Sequence, residues 1–131
     1  MLDTSAVSAF FRGNLAVKER MDTADILELN PVVLGELLAG FMMGTAERVN
    51  RELLDQFVAS PRVEIVRIDE ETGERYAAIF GSLRKAGTPI PTNDIWIAAC
   101  AMQRGSVLLT ADSHFLNVPQ ILTELFETRP P

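Results

Sequence analysis

The chain has 131 residues, 47% hydrophobic and 23% charged, the make-up of an ordinary globular domain, and its length predicts a single domain over residues 1–131. Its net charge of −6 argues against a protein that holds nucleic acid by bulk positive charge, because phosphate contacts need Lys and Arg. The longest apolar run, Ile95 to Met102, is less than half a membrane span, so no membrane association is expected. The N-terminus shows no basic leader region, and the lone Cys100 cannot form an intrachain disulfide. Both features lead to the expectation of a cytoplasmic protein.

Met1 to Asp3 reads as a very short strand, with Thr4 or Ser5 capping a helix that runs to about Arg12. A second helix is predicted from Leu15 to Thr23, then a short strand from Asp25 to Leu29. Pro31 suits a first helical turn and opens a helix to about Met43. Thr45 to Ala59 follows as a helix, with Val49, Leu53, Phe57 and Val58 at helical spacing. Val63 to Ile68 is a strand. Asp69 caps the next helix, in which Tyr76, Ala77, Phe80 and Leu83 share a face, and Gly87 ends it. Thr88 to Pro91 is extended, because each proline turns its predecessor away from helix. Thr92 caps an apolar helix to about Gln103, Gly105 stops it, and Ser106 to Thr110 is a strand. A turn or short helix from Ser113 to Asn117 leads to a last strand, Ile121 to Phe126. This alternation predicts an α/β fold with a mainly parallel central sheet and helices on both faces.

Four acids stand out from this pattern. Asp3 ends the first strand, Glu36 interrupts the apolar run Val32 to Ala39, Asp94 opens the apolar segment Ile95 to Met102, and Asp112 follows the strand through Thr110. A carboxylate among core-forming residues costs free energy unless something compensates it. Four such cases suggest one shared compensator, and the natural one is a divalent cation, Mg²⁺ or Mn²⁺, which prefers oxygen ligands. In open parallel sheets, sites form beyond the carboxyl ends of the strands, where Asp3 and Asp112 fall. Asp94, in a first helical turn, joins them plausibly; Glu36 depends on the fold.

The segments Leu2-Asp3-Thr4-Ser5, Gly35 to Gly40, Ile90 to Ala99 and Leu108 to Phe115 resemble the four acidic motifs of the PIN-domain nucleases, and most of all the VapC-type toxins of bacterial toxin–antitoxin pairs. The resemblance covers essentially the whole chain. It implies a PIN-like three-layer α/β/α domain, a Mg²⁺- or Mn²⁺-dependent endoribonuclease acting on RNA, a VapB-type antitoxin as partner, and a homodimer. Carried over residue by residue, Asp3, Glu36, Asp94 and Asp112 are the acidic quartet, Ser5 and Thr110 the supporting hydroxyls, and Asn93 a neighbouring polar contact. One departure is that only Met1 and Leu2 precede the first acid.

In this chemistry the acids fix the cation while free positions keep water and phosphate. Asp3 and Asp112 lead as direct ligands, with Asp94 the third; Glu36 and Asp94 complete a second site, act through water, or orient the attacking water. Each acid also has a local reading: Asp3 as a helix cap, Asp94 as a residue suited to the helix dipole, Asp112 as a turn acid and Glu36 as a solvated position. His114 is expected at the rim or in packing, and Trp96 in the core. The apolar residues Leu34, Leu37, Leu38, Phe41, Met42 and Met43 wrap too far round their helix to face one core, so the helix is either buried on two sides or, the favoured reading, offers a surface to a partner helix or second protomer. The competing function is a catalytically silent PIN-like protein-binding module.

Overall fold

The computed structural model describes residues 1–128. Its helices are α1 (Thr4–Phe11), α2 (Leu15–Asp22), α3 (Pro31–Met43), α4 (Glu47–Val58), α5 (Glu70–Ala86) and α6 (Thr92–Arg104). Its strands are β1 (Leu27–Leu29), β2 (Val63–Ile65), β3 (Val107–Thr110) and β4 (Leu122–Leu125), with a 3₁₀ turn at Ser113–Asn117. β1 pairs in parallel with β2, and β3 in parallel with β4.

Residues 1–3 stitch the two pairs together. Leu2 forms a parallel bridge with Leu109, the Leu2 N–H donates to the Glu28 carbonyl at 2.9 Å, and the Leu109 N–H donates to the Met1 carbonyl at 2.9 Å. The order across the sheet is therefore β2, β1, residues 1–3, β3, β4. The strand predicted at Met1 to Asp3 is reduced to that single bridge, because Asp3 already turns away to start α1. Helices cover the sheet in the expected three-layer α/β/α arrangement, and Val7, Leu29, Val33, Ile79, Ile97, Leu108 and Phe115 are fully buried between the layers.

Local chemistry sets the helix ends. The Asn30 side chain accepts from the Val33 N–H at 3.1 Å, so α3 starts at Pro31, whose missing N–H costs nothing there. Asp69 and Thr72 form a reciprocal capping box at the start of α5. Gly87 and Gly105, at φ 71° and 66°, take the left-handed conformation that ends α5 and α6. Two caps differ from expectation. Asp3, rather than Thr4 or Ser5, caps α1, and Thr92 is the first residue of α6, preceded by Pro91 with no side-chain cap.

The connection from α5 to α6 spans Gly87 to Pro91, short enough to make the two helices antiparallel neighbours. The end of α5 and the start of α6 consequently share one edge of the molecule. On α3, Val33 and Leu37 are buried and Leu34, Leu38 and Phe41 are half-buried against the core. The leftover apolar surface is carried by Met42 and Met43, with Val49 and Leu53 of α4.

Candidate metal-binding active site

Asp3 is only 4% exposed and is held on both oxygens. Its Oδ1 accepts from the Ala6 N–H at 2.9 Å and the Ser5 hydroxyl at 2.6 Å, and its Oδ2 from the Thr110 hydroxyl at 2.5 Å. The same hydroxyls also accept: Thr110 Oγ1 from the Asp112 N–H at 2.9 Å, and Ser5 Oγ from the Ala111 N–H at 3.0 Å. The start of α1 is thereby laced to the end of β3. A carboxylate has about four acceptor positions, so Asp3 keeps one free.

Glu36, one turn into α3, is reached from two sides. The Thr4 hydroxyl donates to its Oε1 at 2.6 Å, and the Asn93 amide to its Oε2 at 3.4 Å. Asp94 lies in the first turn of α6, and Asp112 caps the 3₁₀ turn by accepting from the His114 N–H at 2.9 Å. The His114 imidazole sits between these two acids, its Nδ1 3.1 Å from Asp112 and 3.6 Å from Asp94. One ligand atom from each of Asp94, Asp112 and His114 lies within 4.8 Å of the others, within reach of a single ion. Asp3 and Glu36 stand outside that tightest group but are linked to it, Asp3 through Thr110 and Glu36 through Asn93. All seven residues singled out in the sequence therefore gather at one place.

Two residues were undervalued from sequence. Thr4 reads in the sequence as a helix cap, yet it holds Glu36. His114 is exposed, as a rim residue should be, but it also touches two acids. The signal for both was adjacency: each lies one or two residues from a motif acid. The local readings hold as well, since Asp3 and Asp112 do cap their turns.

The electrostatics are those of crowded like charges. Burial raises the Asp94 pKa from 3.8 to about 6, the charges of Asp112 and Glu36 add to that, and His114 opposes it. Asp3 is also raised by burial, against the pull of its hydrogen bonds from Ser5, Thr110 and Ala6, with Asp112 adding repulsion. No Lys or Arg among the described residues forms an ion pair with any of the four acids. A carboxylate-rich, strongly anionic donor set with one histidine at its edge and no Lys or Arg partner among the described residues fits a divalent cation. Nucleophilic thiol chemistry does not fit: Cys100 is buried and its pKa is pushed up to about 11. A cavity of about 770 Å³ lies between the α1–α2 turn and the segment from Glu124 to Thr128, and none of the four acids lines it.

The sequence model of the PIN domain matches residues 1–121. Ribonuclease VapC4 of Mycobacterium tuberculosis is 33% identical over 90 residues, 69% of each chain. Ribonuclease VapC1 of Rickettsia felis is 32% identical over 117 residues, covering 84% of this chain and 82% of that one. Among solved structures, the DNA-bound VapBC of Salmonella typhimurium superposes with a TM-score of 0.84 at 26% identity, over 95% of both chains. VapBC2 of Rickettsia felis, bound to a promoter DNA fragment, shares the fold at a TM-score of 0.86 and 24% identity, over 97% of this chain and 98% of that one. The chain belongs to the PIN-domain family, and within it to the VapC type. Among the described residues no helix is long and apolar enough to cross a membrane.

Proposed function

We propose that this chain is a metal-dependent endoribonuclease, the toxin of a toxin–antitoxin pair, working as one domain in the cytoplasm. The observation that carries this reading is the cluster of four carboxylates, braced by hydrogen bonds from Ser5, Thr110, Thr4 and Asn93 and without an Arg or Lys partner among the described residues. The names of its relatives, ribonucleases of the VapC type, support it. Mg²⁺ or Mn²⁺, when bound there, would supply Lewis-acid polarisation of the phosphate and lower the pKa of a bound water below that of bulk water.

The chain's own residues do the rest. Asp3, Asp94 and Asp112 hold the cation. Ser5 and Thr110 keep the Asp3 carboxylate from turning, so that its one free acceptor position stays aimed outward. Glu36, fixed by Thr4 and Asn93, orients the attacking water. His114, between Asp94 and Asp112, opposes the rise in the Asp94 pKa. The partner surface belongs to Met42, Met43, Val49 and Leu53, which suit a VapB-type antitoxin helix or a second copy in a homodimer.

Expression of the wild type and of Asp3→Asn in cells, with RNA integrity as the readout, tests the activity. Wild type should fragment RNA and the variant should leave it intact. Purified wild type should lose cleavage in EDTA and regain it with Mg²⁺ or Mn²⁺. Intact RNA with the metal-loaded wild type, alongside tight antitoxin binding, would instead mark a silent binding module.

A further inference from the structure

The antiparallel pairing of α5 and α6 sets the last turn of α5 beside the turn that carries Asn93 and Asp94. A cavity of about 280 Å³ opens there, lined by Phe80, Leu83, Arg84, Pro89, Ile90 and Ile95. Its lining brackets the acidic turn in the chain: Ile90 lies three residues before Asn93, and Ile95 directly follows Asp94. Small-ligand clefts begin near ~300 Å³, so this one takes a single flat ring and not a helix.

Two features say which ring. Phe80 leaves 41% of its surface in water, yet it is not free to fold away. It stacks on Tyr76 at a centroid distance of 6.2 Å and 18° between planes, and Tyr76 lies 4.3 Å from Trp96. This aromatic column presents the open side of Phe80 as a fixed platform. At its rim, Arg84 is exposed and, with Lys85 beside it, makes no ion pair among the described residues. Arg20, Arg51 and Arg104 are each committed to a carboxylate. Unpaired cations at the same end as the acids are what admits a polyanion to a site its own charge would repel.

We propose that this cavity seats the base of a nucleotide neighbouring the scissile phosphate of single-stranded RNA, with Phe80 stacking the base and Arg84 meeting a phosphate. The proposal rests on the ribonuclease reading and names a determinant of its substrate. Base stacking on an aromatic side chain tolerates any base, and the planar fork of arginine suits phosphate oxygens.

The test uses the full chain and a fluorescein-labelled single-stranded RNA of ten nucleotides with mixed sequence. Binding is read by anisotropy in EDTA, cleavage with Mg²⁺ or Mn²⁺, and assembly by sedimentation. F80L, which keeps apolar bulk, should bind about tenfold more weakly, while F80W should restore affinity. R84Q should weaken binding and lower the slope of log affinity against log salt by about one. All three should melt at the wild-type temperature. Unchanged RNA affinity in both F80L and R84Q overturns the proposal. So does a change in sedimentation with unchanged affinity, which would make the face a contact between copies. If wild type cuts the RNA and F80L cuts it with the same KM, the subsite fails and the ribonuclease reading stands. If the affinities differ as expected but wild type never cuts, the subsite stands and the ribonuclease reading fails.

Discussion

Helix α6 has an acidic cluster at each end, and the two are built differently. At its C-terminal end, Arg104 donates to Glu28 at 3.0 Å and to Glu64 at 2.6 Å, and Ser106 donates to Glu28 as well. Glu28 and Glu64 are register partners in β1 and β2, so their repulsion is answered by two cations, the shared Arg104 guanidinium and the N-terminal amine of Met1, 4.0 Å from Glu28. Ten residues earlier, roughly 15 Å along the helix, Asp94 faces Asp112 and Glu36 with only a histidine between the acids. The first cluster is neutralised inside the chain, as a structural network is. The second has no Lys or Arg partner among the described residues, and the proposed function gives it a cation from outside.

That contrast is broken or kept most sharply by activity. Asp112→Asn should lower RNA cleavage by about a thousandfold or more, on the scale of losing a group that organises transition-state charge. Arg104→Met should leave cleavage near wild type while lowering the melting temperature, because it leaves the mostly buried Glu28 with only Ser106 and the N-terminal amine, at a cost of about 1–2 kcal/mol. Steady-state cleavage and thermal melts on both variants check this. Loss of activity in Arg104→Met at a temperature where it is still folded would put both clusters in the site.

Added Mg²⁺ or Mn²⁺ should stabilise the wild type, by about 2.7 kcal/mol at a hundred times the dissociation constant. The combination of Asp3→Asn with Asp112→Asn should lose most of that gain while melting higher than wild type in EDTA, since the repulsion is relieved. Equal metal-induced shifts in the two proteins would remove the metal from the anionic cluster.

Much of this was legible in the sequence because three of the acids sit beside an apolar segment whose periodicity fixes their place. Asp3 and Asp112 follow strands, and Asp94 opens a helix. Glu36 was not placeable in that way: only the packing of α3 beside α1 brings it to Thr4. The cap of α1 was misplaced because Thr4, Ser5 and Asp3 are all good N-cap residues, and the choice was made at a distance by Thr110, which holds the Asp3 carboxylate from β3. The middle of the sheet was overstated for a related reason. Three residues can read as a strand, but one of them is already committed to starting a helix. Apolar periodicity on α3 did predict spare surface, yet it could not tell that Leu38 and Phe41 are drawn partly inward while Met42 and Met43 remain out.

The anionic end of α6 should also make stability depend on pH. Folding raises the Asp94 pKa from 3.8 to about 6, and Asp3 moves the same way, so the folded chain holds these protons to higher pH than the unfolded chain. In EDTA, stability from this cluster is greatest below pH 3.8 and falls as pH rises to about 6, by about 1–2 kcal/mol after allowing for partial exposure. With Mg²⁺ present the slope should reverse, because the cation and the protons compete for the same oxygens. Melting temperatures across pH 4–7, with and without Mg²⁺, give the answer, and Asp94→Asn should flatten the EDTA curve. A wild-type curve in EDTA that rises through this window would mean that the cluster is compensated from within.

The finest distinction lies between two hydroxyls that each hold a glutamate. Thr4 donates to Glu36 at the anionic end, and Ser106 donates to Glu28 at the neutralised end. Thr4→Val keeps shape and removes the donor, leaving Glu36 with only the long 3.4 Å contact from Asn93. The stability cost should be about 1 kcal/mol or less, and kcat should fall by about tenfold with KM little changed, because the carboxylate remains but turns more freely. Ser106→Ala should cost a similar amount of stability and nothing in kcat. Kinetics and melts on the pair separate positioning from mere support, since both changes remove one hydrogen bond to one carboxylate. If Thr4→Val leaves kcat untouched, Glu36 does not orient the attacking group, and the working site shrinks to Asp3, Asp94 and Asp112.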